Sequence, residues 1–523
     1  MSNSPAPIVV VPSQDWDGND GPWSSFIAQI GTPPQTVKVQ VSTASTQTWA
    51  VAGEGCGSGD VIDCKKLRGG LFNFSASSTY NPNLASPDGS YYKLGLESSL
   101  GYEGNGRFGF DNITLGFPGT GGPSLSNQTV GGIAAKSFFM GVFGLTPRPS
   151  NFTEYNDPIP SYLENLRREE LIPSLTWAYT AGNQYRLNGV LGSLTLGGYD
   201  SSRFEPGNLS IPFSPIDARD LTVQVRSITS GDDQLLASPI ASFLDSTVPY
   251  IYLPMPACTA FETIFGIIWN ETSQLYLIND TQHAILDAQN PSITFTLGSL
   301  ESSTRVNISF PYAAFALEAS WPLTPVPTRY FPLRRAANST QYTLGRVFFQ
   351  EAHVIADYDR RNFSVSQCSW DAGAKQNIVA INPPTLERSD MSTGLSTGTI
   401  IGIVIGAVVV VVVLLTLGQW WRLRRRKERD TLRPSNDEVL YQKAELDCDQ
   451  SKQESWKDIQ LRSTAAAPPA EFCDSHEIRE VQGTDIAVEL EGLIPPHELD
   501  AFNKLAELDS NSWAARNALR KGI

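Results

Sequence analysis

Short runs of alternating apolar and polar residues dominate the chain up to residue 390. Such alternation predicts β-strands, because successive side chains of a strand point to opposite faces of a sheet. Spacing typical of amphipathic helices is confined there to two windows, Ser161 to Glu170 and Cys258 to Trp269. Gly, Pro, Ser and Thr punctuate the runs as turn residues. The pattern predicts an all-β fold for this region.

One apolar run differs from all the others. Ile400 to Leu417 carries no charge, and about 18 such residues are enough to cross a bilayer core as a helix. Trp420 and Trp421 follow at the interface position. A basic cluster comes next and is expected on the cytoplasmic side: Arg422, Arg424, Arg425, Arg426, Lys427 and Arg429. The sequence predicts a single-pass type I protein with a transmembrane helix at 400–418.

Glycosylation motifs and charge agree with that topology. Every Asn-x-Ser/Thr motif precedes the apolar run, which predicts a lumenal or extracellular ectodomain at the cell surface or in the vacuolar or secretory pathway. The acceptors are Asn73, Asn112, Asn127, Asn151, Asn208, Asn270, Asn279, Asn307, Asn338 and Asn362. The formal net charge of −15 argues against a nucleic-acid partner, since phosphate backbones bind clustered Lys and Arg. Within residues 1–12 only Ile8 to Val11 form an apolar core, which is too short for a signal peptide. Either this sequence lacks a leader, which we favour, or the transmembrane span acts as the targeting signal.

Two stretches read as divergent copies of one turn. Gln40 to Trp49 and Ser242 to Pro249 are each a hydrophobic strand that runs into small residues, but only the second contains an acid. Further strings occur around them in a fixed order: Phe26 to Gln35, Gly141 to Leu145, Leu194 to Asp200, and Tyr342 to Phe349. Together these motifs resemble the pepsin family of aspartic peptidases, over most of residues 23 to 370.

The resemblance implies a bilobal pepsin-like fold in which two Asp-Thr-Gly turns present a pair of carboxylates to one cleft. Here Ser42 stands in place of the first acid, and Asp245 is the second. The expected organisation is an N-terminal segment, two lobes, a stalk, the membrane helix and a disordered cytoplasmic tail. The corresponding ranges are 1–22, 23–203, 204–372, 373–399, 400–418 and 419–523.

Other site residues follow from the same resemblance. Thr43 and Ser246 are expected to interlock the two turns, and Tyr102 is expected to be the tyrosine of a flap over the cleft. The implied disulfides are Cys56–Cys64 and Cys258–Cys368, and neither a metal nor another cofactor is expected.

Three functions remain open from the sequence. The leading one is a catalytically impaired, membrane-bound pseudopeptidase, because one acid alone cannot share a proton as a dyad does. It would act as a surface sensor or as a binding module for a peptide or protein in its cleft. The alternative is an active endopeptidase that uses Asp245 with a further group, and the third is a structural glycoprotein. Asp245 could also be a simple turn acid, while a nucleophilic Ser42 lacks an evident base.

The membrane segment and the tail suggest partners. Gly398, Gly402 and Gly406 recur every fourth residue, as in helix dimers packed through small residues, so a homodimer is one expectation. The tail from 419 lacks sustained periodicity and could bind a cytoplasmic adaptor. Its Cys448 and Cys473 are expected to be reduced thiols if the topology holds.

Overall fold

The computed structural model describes residues 4–84, 89–152, 158–207, 209–299, 303–384, 409–422 and 424. The chain divides into two units, residues 1–404 and 405–523. Within the second unit, residues 409–422 and 424 are helical. No helix in the described ranges is both long and apolar enough to span a bilayer. Residues 400–408 of the predicted span, the Gly398, Gly402 and Gly406 stripe and the tail from 425 lie outside those ranges.

The first unit is mostly β, with few helices, as the sequence predicts. A nine-stranded sheet forms the first lobe. In spatial order its strands are Pro12–Asp17, Trp23–Ile30, Gln35–Ser42, Gly141–Gly144, Thr48–Val51, Ser124–Ile133, Asn105–Leu115 and Asn81–Pro82, with Tyr91–Lys93 also paired to Asn105–Leu115. The strands Trp23–Ile30 and Gln35–Ser42 pair as a hairpin. Every residue of the first is buried, and Val37, Val39 and Val41 of the second face the core.

The second lobe contains an eight-stranded sheet and a four-stranded sheet. The larger one runs Arg305–Pro311, Ser292–Gly298, Thr222–Ser230, Ile240–Leu244, Thr343–Leu344, Ile251–Leu253 and Leu333–Arg335, with Asp233–Gln234 beside Thr222–Ser230. The smaller one runs Ile268–Asn270, Leu275–Leu277, Thr328–Phe331 and Leu317–Ala319.

A six-stranded sheet draws strands from both halves of the chain and lies between the lobes. Its order is Ile8–Val10, Val190–Leu196, Thr176–Asn183, Ala352–Asp357, Asn362–Gln367 and Ser210–Pro212. The central pairing is antiparallel and places Trp177 opposite Ala356, both fully buried. A small sheet of Gly198–Asp200 and Ile378–Ala380 begins directly after the strand Val190–Leu196. This arrangement holds the two lobes as one body and fixes the cleft between them.

Helices lie in both windows that the sequence predicts, although the second ends at Phe265 and not at Trp269, and at two further places in the described part of this unit. Tyr162–Arg168 follows Ser161, whose hydroxyl accepts the Glu164 N–H, and Met255–Phe265 begins after Pro254. Asp280–Gln289 was not predicted, although Asn279 caps it, because Leu286 is its only buried residue and leaves no apolar periodicity to detect. A single turn, Cys64–Leu67, completes the α-helices of the described part of this unit.

Candidate active site

The two divergent turns meet at the centre of the cleft and interlock through their second residues. The Thr43 N–H donates to Ser246 Oγ at 3.1 Å, and the Ser246 N–H donates to Thr43 Oγ1 at 3.0 Å. Each hydroxyl in turn donates across the interface, Thr43 Oγ1 to the Leu244 carbonyl at 3.0 Å and Ser246 Oγ to the Val41 carbonyl at 2.7 Å. All four groups are buried. The structure therefore joins the predicted interlock residues in a symmetric set of four hydrogen bonds.

Equivalent backbone arrangements hold both turns in place. Gly141–Gly144 runs parallel to the strand before the first turn, with Gly144 opposite Ser42. Thr343–Leu344 runs parallel to the strand before the second turn. A Cβ on Gly144 would lie 2.4 Å from the Ser45 carbonyl oxygen, and one on Gly345 would lie 2.2 Å from the Tyr250 carbonyl oxygen. Both positions require glycine because backbone atoms of the turns occupy that space.

Ser42 is fully buried where a carboxylate would be needed. Its Oγ accepts the Ser45 N–H at 2.8 Å and the Ala44 N–H at 3.3 Å, and it lies 2.6 Å from Thr247 Oγ1 in the opposite turn. Since two N–H groups already donate to Ser42 Oγ, its own hydrogen is free for Thr247. A bridge between two hydroxyl groups thus replaces the contact between two acids.

Asp245 is fully buried in the second turn. Its Oδ1 accepts the Thr247 N–H at 2.8 Å, and the Thr247 hydroxyl also stabilises the charged form. No N–H or hydroxyl of the described residues donates to the buried Oδ2. Burial is the main cause that raises the pKa of the Asp245 carboxyl, and these hydrogen bonds oppose it. Val248, three residues on, is buried and has no hydroxyl to offer.

A second carboxyl group, which the sequence did not reveal, contacts Asp245. Glu97 forms a side-chain hydrogen bond with it, so the pair must share a proton. Burial first, and then the charge of Asp245, raises the pKa of Glu97 to about 8, while Arg219 acts in the opposite direction. Glu97 is thus the group that supplies a proton towards Asp245. The only local hint in the sequence is an acid between Gly95 and Gly101 in the predicted flap.

Glu97 belongs to a hairpin over the cleft, here called the flap and comprising residues 91–107. Tyr91–Lys93 pairs with the start of Asn105–Leu115, and the Leu94 N–H donates to the Gly104 carbonyl at 2.9 Å to close the tip. The predicted flap tyrosine, Tyr102, lies in this tip. Its ring centroid lies 5.4 Å from that of Phe138. Burial raises the pKa of Tyr252 in the second lobe, and the nearby Tyr102 hydroxyl opposes that rise.

An open cleft of about 410 Å³ remains beside the turns. Four aromatic side chains line it, and three charged residues, Lys93, Glu97 and Arg148, also face it. The lining residues that matter here are Trp49, Tyr92, Glu97, Phe108, Arg148 and Phe152. The Trp49 indole N–H donates to Gln47 Oε1 at 2.9 Å. Such a surface suits an extended peptide with apolar side chains.

Comparison with known proteins decides the family. The model of the eukaryotic aspartyl protease family matches residues 26–368. The chain belongs to this family. Among similar fungal proteins, aspartic proteinase yapsin-3 of Saccharomyces cerevisiae is 24% identical over 381 residues, which cover 69% of each chain. An acid protease of Saccharomycopsis fibuligera is 21% identical over 358 residues, covering 65% of this chain and 80% of that one. Secreted aspartic protease 7 of Candida albicans is 27% identical over 183 residues, or 34% of this chain and 27% of the relative.

The cysteines of this aspartyl protease domain follow one of the two expected pairings. Cys56 and Cys64 form a disulfide close to the first turn. The predicted Cys258–Cys368 bridge is wrong, since both residues are free and buried. Cys258 lies on the helix Met255–Phe265, with its Sγ 3.6 Å from the Leu253 and Arg334 carbonyls, whereas Cys368 follows a strand of the sheet between the lobes and contacts Thr180. The two thiols therefore belong to separate structural elements.

The glycosylation motifs of the domain fall on accessible positions. Asn208 lies outside the described residues. Six of the remaining acceptors are exposed, and the other three, Asn112, Asn270 and Asn362, are partly exposed. None of these nine is buried, so each described motif could accept a glycan without unfolding. Among the described residues, no group of His, Cys, Asp and Glu is arranged to hold a metal ion.

Proposed function

We propose that this protein is a membrane-anchored, glycosylated pseudopeptidase whose pepsin-like cleft binds peptide segments without hydrolysing them. The observation that carries the proposal is the hydrogen bond between Ser42 and Thr247 at the place where the family needs its first carboxylate. The interlock of Thr43 and Ser246 and the aromatic cleft support retained binding. A filled-in structural glycoprotein fits less well, because a cleft of about 410 Å³ remains.

The chemistry of a lone acid explains the expected loss of turnover. Two carboxyl groups that share a proton act at once as base towards water and as acid towards the scissile carbonyl. The Ser42 hydroxyl stays protonated at acid pH and is a far weaker base than a carboxylate, so it cannot take the proton of water. General acid–base help worth about 10² to 10⁴ in rate is therefore missing from the two turns.

A second candidate function, an active endopeptidase, is favoured by the Glu97–Asp245 contact. Glu97 could supply the missing carboxyl. However, Glu97 reaches Asp245 from the flap, which is the side from which a peptide bond must approach. The same contact therefore blocks the position of the attacked bond, and we rank this function second.

Cellular placement belongs to the same proposal. The apolar run at 400–418, the basic cluster after it and the one-sided glycosylation motifs support a single-pass protein of the secretory pathway or cell surface. One similar protein is named a secreted protease, which agrees with that route. Dimerisation through Gly398, Gly402 and Gly406 and binding of an adaptor by the tail remain predictions.

Repair of the dyad tests the proposal. Full-length protein in detergent is incubated with a quenched peptide library from pH 3 to 7, as wild type, Asp245→Asn, Ser42→Asp and Ser42→Asp with Thr247→Gly. The double variant is needed because Thr247 Oγ1 already lies 2.6 Å from Ser42 Oγ, so a longer acid collides with it. We expect no cleavage by the wild type above the Asp245→Asn background, and cleavage by the double variant.

Binding is measured beside cleavage by titration of the same proteins with pepstatin and with library peptides. Binding by the wild type without cleavage supports the pseudopeptidase. Wild-type cleavage that Asp245→Asn abolishes would establish the endopeptidase instead. Absence of both binding and cleavage would favour the structural glycoprotein.

A further inference from the structure

The flap tip is held against the second lobe. Gln341 Nε2 donates to the Ser99 carbonyl at 2.5 Å. On either side of Ser99, the Glu97 carboxyl interacts with Asp245 and the Tyr102 hydroxyl lies near Tyr252. The flap therefore lies closed on the floor of the cleft.

The backbone of the flap tip is held in an unfavourable conformation for this purpose. Glu97 has a φ of 52°, in the left-handed region that residues with a side chain adopt rarely. It directly precedes the short helix Ser98–Leu100, which ends at Gly101 with a φ of 84°. Conformations of this kind persist where other contacts hold them, and they are frequent at clamps and switches. This backbone geometry brings the Glu97 carboxyl to Asp245, whose second oxygen receives no hydrogen bond from an N–H or hydroxyl of the described residues.

We propose that Glu97 is an internal ligand of Asp245 that latches the flap over the cleft, and that a peptide enters only when this carboxyl is displaced. The proposal rests on the proposed function of the cleft as a peptide-binding site. It assigns to Glu97 an autoinhibitory role, which lowers but does not abolish cleavage by the repaired double variant.

Protonation of the two carboxyls determines whether the latch is closed, and their chemistry fixes the direction of the pH effect. The pair is attractive while it holds one proton and repulsive when both carboxyls are ionised. Burial raises the pKa of each group, so the shared proton persists from acid to neutral pH and is lost as the medium becomes alkaline. The flap is therefore closed at low pH and released at high pH.

The charged groups around Glu97 and Asp245 shift the pH at which the flap is released, but they do not themselves form the latch. Arg219 of the second lobe acts on both carboxyls, although its guanidinium already donates to the Thr340 and Tyr342 carbonyls. The positive charge of Arg346 stabilises the ionised form of Asp245, and the phenol of Tyr252 interacts electrostatically with Glu97. Lys93 and Arg148 line the same cleft from the first lobe. These cations favour the ionised forms and so oppose the effect of burial.

Hydrogen exchange of the flap tests the latch without any peptide. Backbone amides of residues 94–104 are followed in the full-length protein at pH 5 and pH 9, with rates corrected for intrinsic exchange. We expect protection to fall at least tenfold between the two pH values in the wild type. Glu97→Gln keeps a hydrogen bond to Asp245 but cannot ionise, so it should stay protected at both. Glu97→Ala should be unprotected at both, and Glu103→Gln, a change to another flap acid, should match the wild type.

Peptide affinity provides the second readout. A fluorescent library peptide should bind Glu97→Ala at least tenfold more tightly than wild type at pH 5, and the advantage should shrink at pH 9. The latch would be refuted if the exchange protection of the flap amides changed neither with pH nor in Glu97→Ala. If no peptide binds any variant while the exchange pattern holds, the latch stands and the proposed function fails. Wild-type hydrolysis that Glu97→Gln abolishes would make Glu97 a catalytic acid and overturn the autoinhibitory role.

Discussion

Removal of one hydroxyl from the interlock should destabilise the whole cleft. In Ser246→Ala the Thr43 N–H loses its acceptor at 3.1 Å, and the Val41 carbonyl loses its donor at 2.7 Å. Both groups are buried in the wild type, and each unsatisfied buried group costs roughly 1–3 kcal/mol. The expected loss in the free energy of unfolding is therefore about 2–6 kcal/mol, large for the removal of a single oxygen atom.

Equilibrium denaturation in urea of the full-length protein measures this loss, with peptide binding as a second readout. Thr43→Ser is the matched control, because it keeps the hydroxyl that accepts the Ser246 N–H and donates to the Leu244 carbonyl. It should lose only the burial of a methyl group, about 1 kcal/mol. A Ser246→Ala variant within about 0.5 kcal/mol of wild type would refute the reasoning that the interlock holds the two turns.

Three further predictions concern stability and thiol chemistry. Arg68→Ala should lower the free energy of unfolding by at least about 3 kcal/mol, as measured by denaturation. The reason is that the buried guanidinium donates to five backbone carbonyls, those of Gly55, Ala134, Ala135, Phe138 and Phe139. Arg68→Lys should not restore this stability. Burial lowers the pKa of His353 to about 3, so the unfolded state binds the extra proton and stability should fall as pH drops from about 6.5 towards 3. His353→Phe, which keeps the stacking on Phe204, should flatten that fall in denaturation curves at pH 4 and 7. Cys258 and Cys368 should resist iodoacetamide in the native state and react after unfolding, as followed by mass spectrometry, because both are buried and burial raises the pKa of each thiol.

Features that depend on local sequence could be predicted before the structure. The strands before each turn, the interlock residues Thr43 and Ser246, and the Cys56–Cys64 bridge all lie within short motifs. The helix at Asp280–Gln289 was missed because its burial is confined to Leu286, so its amphipathic signal is weak.

Contacts between distant parts of the chain could not be predicted in the same way. The predicted lobes place Cys258 and Cys368 together, which suggests that they pair. In the structure, however, Cys368 directly follows a strand of the sheet between the lobes, where it contacts Thr180. Glu97 was overlooked because its role depends on how far the flap closes towards Asp245, and no local motif encodes that distance.

The replacement at Ser42 is connected to its neighbours by simple electrostatics. A family member with two buried acids needs space for both carboxylates and donors for their shared negative charge. The glycine of each Asp-Thr-Gly turn leaves that space available. Once one acid is gone, Thr247 can place a hydroxyl against Ser42 and still donate its N–H to Asp245. The other Asp245 oxygen then has no N–H or hydroxyl donor among the described residues, and the proposed latch supplies a protonated Glu97 carboxyl to Asp245. Ser42, Thr247 and the inward position of Glu97 thus fit one another, and a change of Ser42 alone would leave the other two in place.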